Sequence, residues 1–298
     1  MRILILFAVS AALYGQLSRP LLDAHNCYPQ AGRFNDRITR ALTLGFPVAI
    51  EQDIGYFGGR AVVTHTKETT GEEPTLKDYF FERVRPIIEK ALKENKRDEW
   101  PLIVLHFDFK DVQAPLLHEV WKILGKYERW ITTAKKTADP AHLSPFDIKP
   151  LLVLTEDADE QQAIFSDEVP TGAKLRVFGS GHTKGPISPP TNYRRWLNYS
   201  WHEVEPEGQP NAGEWTEAKN TRLRELVDGA HKTGYWIRFY TLDGFVPPGD
   251  RGWSADYNFG SRDAVDLRWK AAFEASVDLI ATDQYEELGE FLVARVAH

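Results

Sequence analysis

The sequence repeats an apolar, strand-like segment eight times over its 298 residues. These segments cover residues 20–25, 47–53, 101–109, 150–155, 173–179, 198–204, 235–242 and 277–283. Amphipathic stretches with helical spacing lie between most of them, as at residues 36–44, 76–93 and 216–233. Gly45 and Gly234 follow two of these stretches, as glycine often does at the end of a helix. Segments too apolar to alternate strictly are typical of parallel strands that helices cover.

Eight such units without an intervening linker predict a single (β/α)8 barrel. An open, doubly wound sheet is the alternative, but no glycine-rich phosphate-binding turn follows the first strand. Joins from helix to strand are short. Several joins from strand to helix are long and rich in Pro, Gly and aromatic residues, as at 182–193, 205–213 and 244–260. We therefore expect the functional site at the carboxyl ends of the strands.

The N-terminus differs in character from the rest of the chain. Met1 and Arg2 precede an apolar run over residues 3–14, and Gly15 follows it. This pattern predicts a signal peptide at 1–15, a barrel domain at 16–298 and a secreted or periplasmic protein, with a buried first helix as the alternative. The single Cys27 cannot form an internal disulfide.

Net charge and hydropathy limit the kinds of partner that the chain is expected to bind. The net charge of −7 and the pI near 5.8 argue against nucleic acid as a general partner. No run after the N-terminus approaches the roughly 18 apolar residues of a membrane span. Nothing in the sequence indicates an obligate protein partner, and contact with a membrane surface is expected to be transient.

Carboxylates stand at the ends of two neighbouring strands. Glu51 and Asp53 share one side of the second strand, and Asp108 ends the third. Buried together, three bare carboxylates would repel one another unless a cation lay among them. Oxygen ligands suit Mg²⁺ or Ca²⁺ better than zinc. The alternative is a network of ion pairs with Arg and Lys from adjacent strands.

Two histidines flank these acids. His25 ends the first strand, and His65 ends a short continuation of the second. Cleavage of a phosphodiester needs one group to take a proton from the attacking oxygen and another to protonate the leaving one, and histidine does both near neutral pH. Lys110 would add positive charge for the phosphoryl oxygens. His106 is expected to be a hydrogen-bonded core residue.

These motifs resemble a known group of enzymes. His25–Asn26, the EQD at 51–53, the VVTH at 62–65 and the VDLIATD at 277–283 resemble the glycerophosphodiester phosphodiesterase-like superfamily of PLC-like phosphodiesterases. The similarity is greatest to the altered inheritance of mitochondria protein six branch, and VLHFDFK at 104–110 is similar to sphingomyelinase D-type phospholipases. The resemblance implies a barrel enzyme that cleaves glycerophosphodiesters or phospholipid and lysophospholipid head groups.

The resemblance also implies roles for individual residues. His25 and His65 would be the acid–base pair, Lys110 would contact the phosphate, and Mg²⁺ or Ca²⁺ would be held by three carboxylates, Glu51, Asp53 and Asp108. Three positions depart from the pattern. Asn26–Cys27 replaces the Arg–Gly of glycerophosphodiesterases, Thr66 replaces a usual Asp, and Cys27 stands where the nearer branch has Asp.

Because Asn26 replaces the phosphate-binding arginine of glycerophosphodiesterases, another arginine is needed for that contact, and strand seven carries a candidate. Trp236, Arg238 and Tyr240 share one face of that strand, so Arg238 is expected to replace the phosphate contact. The two aromatic residues could cover a lipid chain or a choline-like head group. Asn26, at the position of the arginine, is a further candidate substrate contact.

Two other functions remain open from the sequence. Glu203 and Glu205 in the predicted sixth strand could be the two carboxylates of a glycoside hydrolase. The barrel could also be a catalytically inactive binding module. For a phosphodiesterase, the sequence leaves open whether water attacks or a substrate hydroxyl attacks to give a cyclic phosphate.

Overall fold

The computed structural model describes residues 20–29, 33–245 and 255–296. The predicted signal peptide at 1–15 lies outside the described residues. Among those described, no helix is both long and apolar enough to cross a membrane.

Eight parallel strands form a closed barrel. They are β1 Leu21–Ala24, β2 Val48–Phe57, β3 Ile103–Phe109, β4 Leu151–Thr155, β5 Phe178–Ser180, β6 Arg194–Ser200, β7 Trp236–Tyr240 and β8 Leu279–Thr282. Each strand pairs with the next, and β1 pairs with both β8 and β2. Asp23 of β1 therefore lies opposite Ala281 on one side and Ala49 on the other. The predicted (β/α)8 barrel is confirmed.

Helices connect most of the strands. They are α1 Arg37–Thr43, α2 Glu82–Glu94, α3 Ala114–Lys126, α4 Asp159–Gln162, α5 Glu217–Thr233, α6 Arg262–Glu274 and α7 Tyr285–Val296. A π-helical turn, Lys77–Phe81, leads into α2. The Thr216 side chain accepts a hydrogen bond from the backbone of Lys219 and caps α5, which ends at Gly234 with a φ of 98°. Only glycine adopts this conformation readily, as expected from the sequence.

An apolar cluster fills the interior at the amino-terminal end of the barrel strands. Its members include Leu21, Trp196, Trp236 and Leu279. A small sheet (Thr133–Lys135, Phe146–Asp147 and Lys174–Leu175) brings Phe146 against Trp236, with ring centroids 5.8 Å apart. Polar side chains occupy the opposite end of the barrel interior, at the carboxyl ends of the strands.

Three strands differ by four residues or more from their predicted bounds, and one of them, β2, runs on to Phe57 rather than ending at Asp53. The fifth segment divides between the small sheet and β5, and the sixth strand lies four residues earlier than expected, since the chain turns at Trp201–Glu203. The start of β6 escaped prediction because it carries Arg194 and Arg195. Both are buried, and their guanidinium groups bond to Ser180 O and to Asn192 Oδ1.

Candidate active site

The register between β2 and β3 brings the three predicted acids together. Asp53 lies opposite Asp108, and Glu51 lies opposite His106. One carboxylate oxygen from each of Glu51, Asp53 and Asp108 falls within 4.8 Å of the others. Glu51 and Asp53 are buried, whereas Asp108 is half-buried at the barrel mouth.

A tight hairpin returns His65 to this cluster. Gly58 and Gly59, both with positive φ, reverse the chain after β2, and the strand Arg60–Val63 pairs antiparallel with the end of β2. His65 Nδ1 then lies 2.7 Å from Asp53 Oδ2, and its half-exposed ring stacks on Tyr28. His65 also lines a cavity of about 610 Å³, together with Thr66 and other residues.

His25 reaches the acids from the end of β1. Its Nδ1 lies 3.1 Å from Asp283 Oδ1, and its Nε2 lies 3.8 Å from Glu51 Oε1. Burial alone would lower the pKa of His25, but Glu51 and Asp283 raise it, to about 9. This buried imidazole is therefore stabilised in its protonated form.

Cationic side chains offset part of the acidic charge. Lys110 Nζ lies 2.8 Å from Asp53 Oδ2 and 2.7 Å from Asp108 Oδ2, so the ion pairs considered from the sequence do occur. These ion pairs do not satisfy every carboxylate oxygen of the cluster. Asp53 Oδ1 is buried and has no hydrogen-bond partner among the described residues.

The electrostatics of Asp53 agree with an additional cation. Burial is the main cause that raises the pKa of this carboxyl, to about 6, with Asp108 and Glu51 adding to the effect against His65 and Lys110. An unpartnered buried oxygen among three carboxylates suits a hard divalent ion. The residues present therefore fit a Mg²⁺ or Ca²⁺ site.

Asn26 and Tyr240 lie next to His25. The Asn26 side chain is buried and donates to Asp283 Oδ1 at 3.1 Å, so it holds the partner of His25. Its φ of 52° is left-handed, which Asn tolerates better than most residues. The half-buried Tyr240 ring lies 6.0 Å from the His25 ring, and Tyr257 lies 6.1 Å from it on another loop.

Two predicted substrate contacts lie inside the barrel rather than at its mouth. Arg238 is buried, and its guanidinium group bonds to Asp23, Glu51 and Asn198, which leaves it directed at the protein rather than at the mouth. Trp236 lies two residues deeper on the same face, packed against Phe146 in the apolar cluster. The expectation that they share one face was correct, but that face runs down the barrel interior.

Glu203 and Glu205 do not converge on the barrel mouth. Glu203 is exposed in the turn after β6. Glu205 is buried and accepts from Arg268 Nη2 at 2.8 Å and from Trp201 Nε1 at 2.7 Å. The pair is not arranged as the acid and base of a glycoside hydrolase.

Asp283, the last residue of the VDLIATD motif, anchors His25. Two residues near the site were not singled out from the sequence, Glu156 and Asn198, which bond to each other within the barrel. His106 is a buried, hydrogen-bonded residue as expected: its Nε2 lies 2.6 Å from Glu156 Oε1, and its Nδ1 faces Glu51 Oε2 at 3.4 Å. Glu156 directly follows β4, so the rule that polar residues follow barrel strands could have found it.

Comparisons with known proteins support the fold. No family model and no curated protein matches the chain. A solved glycerophosphodiester phosphodiesterase from Parabacteroides distasonis is similar in structure, with a TM-score of 0.50 and 13% identity over 93% of this chain and 98% of that one.

Two further solved structures are similar at lower TM-scores. A second phosphodiesterase of that organism has a TM-score of 0.48 and 13% identity over 95% of this chain and 90% of that one. An HPPK-DHPS from Plasmodium falciparum has a TM-score of 0.47 and 12% identity over 93% of this chain and 47% of that one. At these identities, the likeness concerns the barrel fold.

Proposed function

We propose that this protein is a metal-dependent phosphodiesterase. The observation that carries the proposal is one cluster at the barrel mouth. In it, three carboxylates meet within 4.8 Å and two histidines each have Nδ1 tied to a carboxylate. The fold shared with a glycerophosphodiester phosphodiesterase supports the same reaction class. A binding module without catalysis would need none of these anchored histidines.

Glu51, Asp53 and Asp108 would hold a Mg²⁺ or Ca²⁺ ion. Such an ion supplies Lewis-acid chemistry, because it polarises a phosphoryl oxygen and offsets the charge that develops there. Lys110 lies against two of the same carboxylates and would add a positive charge beside the phosphate.

The two histidines would divide the proton transfers. In each ring Nδ1 faces a carboxylate, so Nε2 is the nitrogen that would face the substrate, and in His25 it lies 3.8 Å from Glu51 Oε1, beside the proposed metal site. His25, whose pKa is raised to about 9, holds a proton at neutral pH and would donate it to the leaving oxygen. His65 is half-exposed, and its Nε2 would accept the proton of the attacking nucleophile, which is either water or a substrate hydroxyl.

The substrate would be a glycerophosphodiester or a phospholipid or lysophospholipid head group. The cavity beside His65 would take one alcohol group of the diester, and Tyr240 and Tyr257 would contact the other near His25. A lipid substrate would imply a role in lipid metabolism and transient contact with a membrane surface. The predicted signal peptide at 1–15 would export the barrel domain at 16–298.

The test is hydrolysis of bis(p-nitrophenyl) phosphate and of glycerophosphodiesters with and without EDTA. Activity that EDTA abolishes and Mg²⁺ or Ca²⁺ restores is expected. Phosphorus NMR of the product would distinguish attack by water from attack by a substrate hydroxyl, which gives a cyclic phosphate. Activity on glycosides that survives EDTA would favour the glycoside hydrolase instead.

A further inference from the structure

Five polar side chains form a ring of polar contacts across the barrel interior, in which hydrogen bonds make every link but one. Arg238 donates to Glu51 Oε2 at 2.5 Å and to Asn198 Oδ1 at 3.0 Å. Asn198 Nδ2 donates to Glu156 Oε1 at 2.9 Å, and His106 Nε2 lies 2.6 Å from the same oxygen. His106 Nδ1 closes the ring at 3.4 Å from Glu51 Oε2, a contact too long and too poorly aligned for a good hydrogen bond.

The ring determines which oxygen of Glu51 is available. Both ring contacts fall on Oε2, whereas Oε1 faces His25 Nε2 at 3.8 Å and the backbone N–H of Asn26 at 3.3 Å. The side chains of Arg238 and His106 are almost fully buried, so neither can turn to water. Their orientation therefore depends on the partners at their far ends.

Glu156 is the partner that connects the two branches. It accepts from His106 on one side and from Asn198, the neighbour of Arg238, on the other. Its side chain is about a quarter exposed, in contrast to the buried His106 and Glu51 side chains. Within the part of the chain that the structure describes, Glu156 contacts His106 and Asn198 and makes no direct contact with the three-carboxylate cluster.

We propose that Glu156 is a positioning residue that keeps Glu51 Oε1 directed at the metal. The inference rests on the proposed function and adds a residue to it. Without Glu156, His106 Nε2 and Asn198 Nδ2 would lose their acceptor inside the barrel. Glu51 is the acidic group already next to His106 and Arg238, so the released donors would compete for it. The carboxylate would then be drawn away from the metal.

Calorimetric titration of the purified full chain with Mn²⁺ and Mg²⁺ tests this inference. Loss of a residue that orients a metal ligand typically costs about 10–100-fold in affinity, which we expect for Glu156→Ala. Glu156→Gln retains an acceptor oxygen for the two donors and is expected to recover most of the affinity. Thermal unfolding of each metal-free variant establishes that it is folded before the titration.

Asp157→Ala is the matched control. Asp157 is the next residue, is about half exposed, contacts His182 at 3.3 Å and carries the same charge outside the ring. We expect its loss to change the affinity less than about threefold, since exposed charges interact weakly. Equal losses for Glu156→Ala and Asp157→Ala would mean that net charge alone sets the affinity, which would overturn the inference.

Wild-type affinity in Glu156→Ala would also overturn it. If that variant does not fold, Asn198→Ala opens the ring at the next link and should weaken binding to a similar extent. Unchanged affinity there would refute the positioning role. A wild-type protein that binds no divalent ion would instead count against the proposed function itself, so the two failures are distinguishable.

Discussion

His25 Nδ1 lies 3.1 Å from Asp283 Oδ1, although 258 positions separate the two residues in the chain. Closure of the barrel creates this contact, because β1 and β8 pair with Ala24 opposite Thr282. The Asn26 side chain donates a hydrogen bond to the Asp283 carboxylate, and the backbone N–H of Asp283 donates to Asp243 Oδ1 at 2.7 Å. The His25 imidazole is therefore oriented by residues near both ends of the chain.

Asp283→Asn should move the basic limb of the pH profile to lower pH. Glu51 and Asp283 together raise the pKa of His25, so removal of the Asp283 charge lowers that pKa, and a general acid is active only below its pKa. We expect kcat/KM at pH 8 to fall about tenfold or more, as measured on a glycerophosphodiester. Asp278→Asn, a buried change at the foot of β8, should not shift the limb. An unshifted limb in Asp283→Asn would contradict the role of Asp283.

The two histidines should respond differently to the leaving group. His25→Ala removes the proposed acid and should reduce kcat about 10²–10⁴-fold for an alkyl phosphodiester, but far less for a p-nitrophenyl diester, whose leaving group needs no proton. His65→Ala removes the proposed base and should slow both substrates similarly. His118→Ala, at an exposed His paired with Glu168, is the control. Similar substrate dependence in both variants would reject this division of roles.

Metal affinity should weaken as the pH falls through about 6. The raised pKa of Asp53 means that this carboxyl holds a proton below that pH, and a metal must displace the proton to bind. The affinity should therefore decrease about tenfold per pH unit below 6 and change little above it. Calorimetry at pH 5 and pH 7 in buffers of different ionisation enthalpy measures both affinity and proton release. An affinity that is equal at the two pH values would exclude the linkage.

Glu205→Ala should affect stability rather than chemistry. The change leaves the buried Arg268 and the partly buried Lys219 without their shared carboxylate, which typically costs about 3–5 kcal/mol. Thermal unfolding should show a large decrease in Tm, with phosphodiesterase kcat retained by the folded protein. Glu203→Ala, at an exposed site, should change stability by no more than about 0.5 kcal/mol. Loss of activity with unchanged Tm in Glu205→Ala would support the glycoside hydrolase.

Much of the barrel could be predicted because its strands are apolar and its helices are amphipathic. The bounds of β3, β4 and β7 were anticipated to within a few residues, and Glu51, Asp53 and Asp108 converge as their period-two spacing indicated. The Gly58–Gly59 pair is a turn signal from which the hairpin that returns His65 to Asp53 could also have been predicted.

The remainder depended on contacts that the sequence does not encode locally. Alternation along β7 placed Arg238 and Trp236 on one face but could not show their depth in the barrel. Strand β6 begins with two buried arginines, and this polar start does not look like the start of a strand in the sequence. The strand was therefore predicted too late in the chain, which wrongly placed Glu203 within it. The contacts of Asp283 with His25 and of Glu156 with His106 join distant segments, and only the closed barrel reveals them.

Hydrolysis of bis(p-nitrophenyl) phosphate by the purified protein, before and after treatment with EDTA, tests the central proposal most directly. We expect activity that is lost with EDTA, returns with Mg²⁺ or Ca²⁺, and falls by about three orders of magnitude or more in Glu51→Gln/Asp53→Asn, because several kcal/mol of charge stabilisation are removed. Hydrolysis that is unchanged by EDTA and by the double substitution, or no hydrolysis of this or any glycerophosphodiester by folded wild-type protein, would contradict the account.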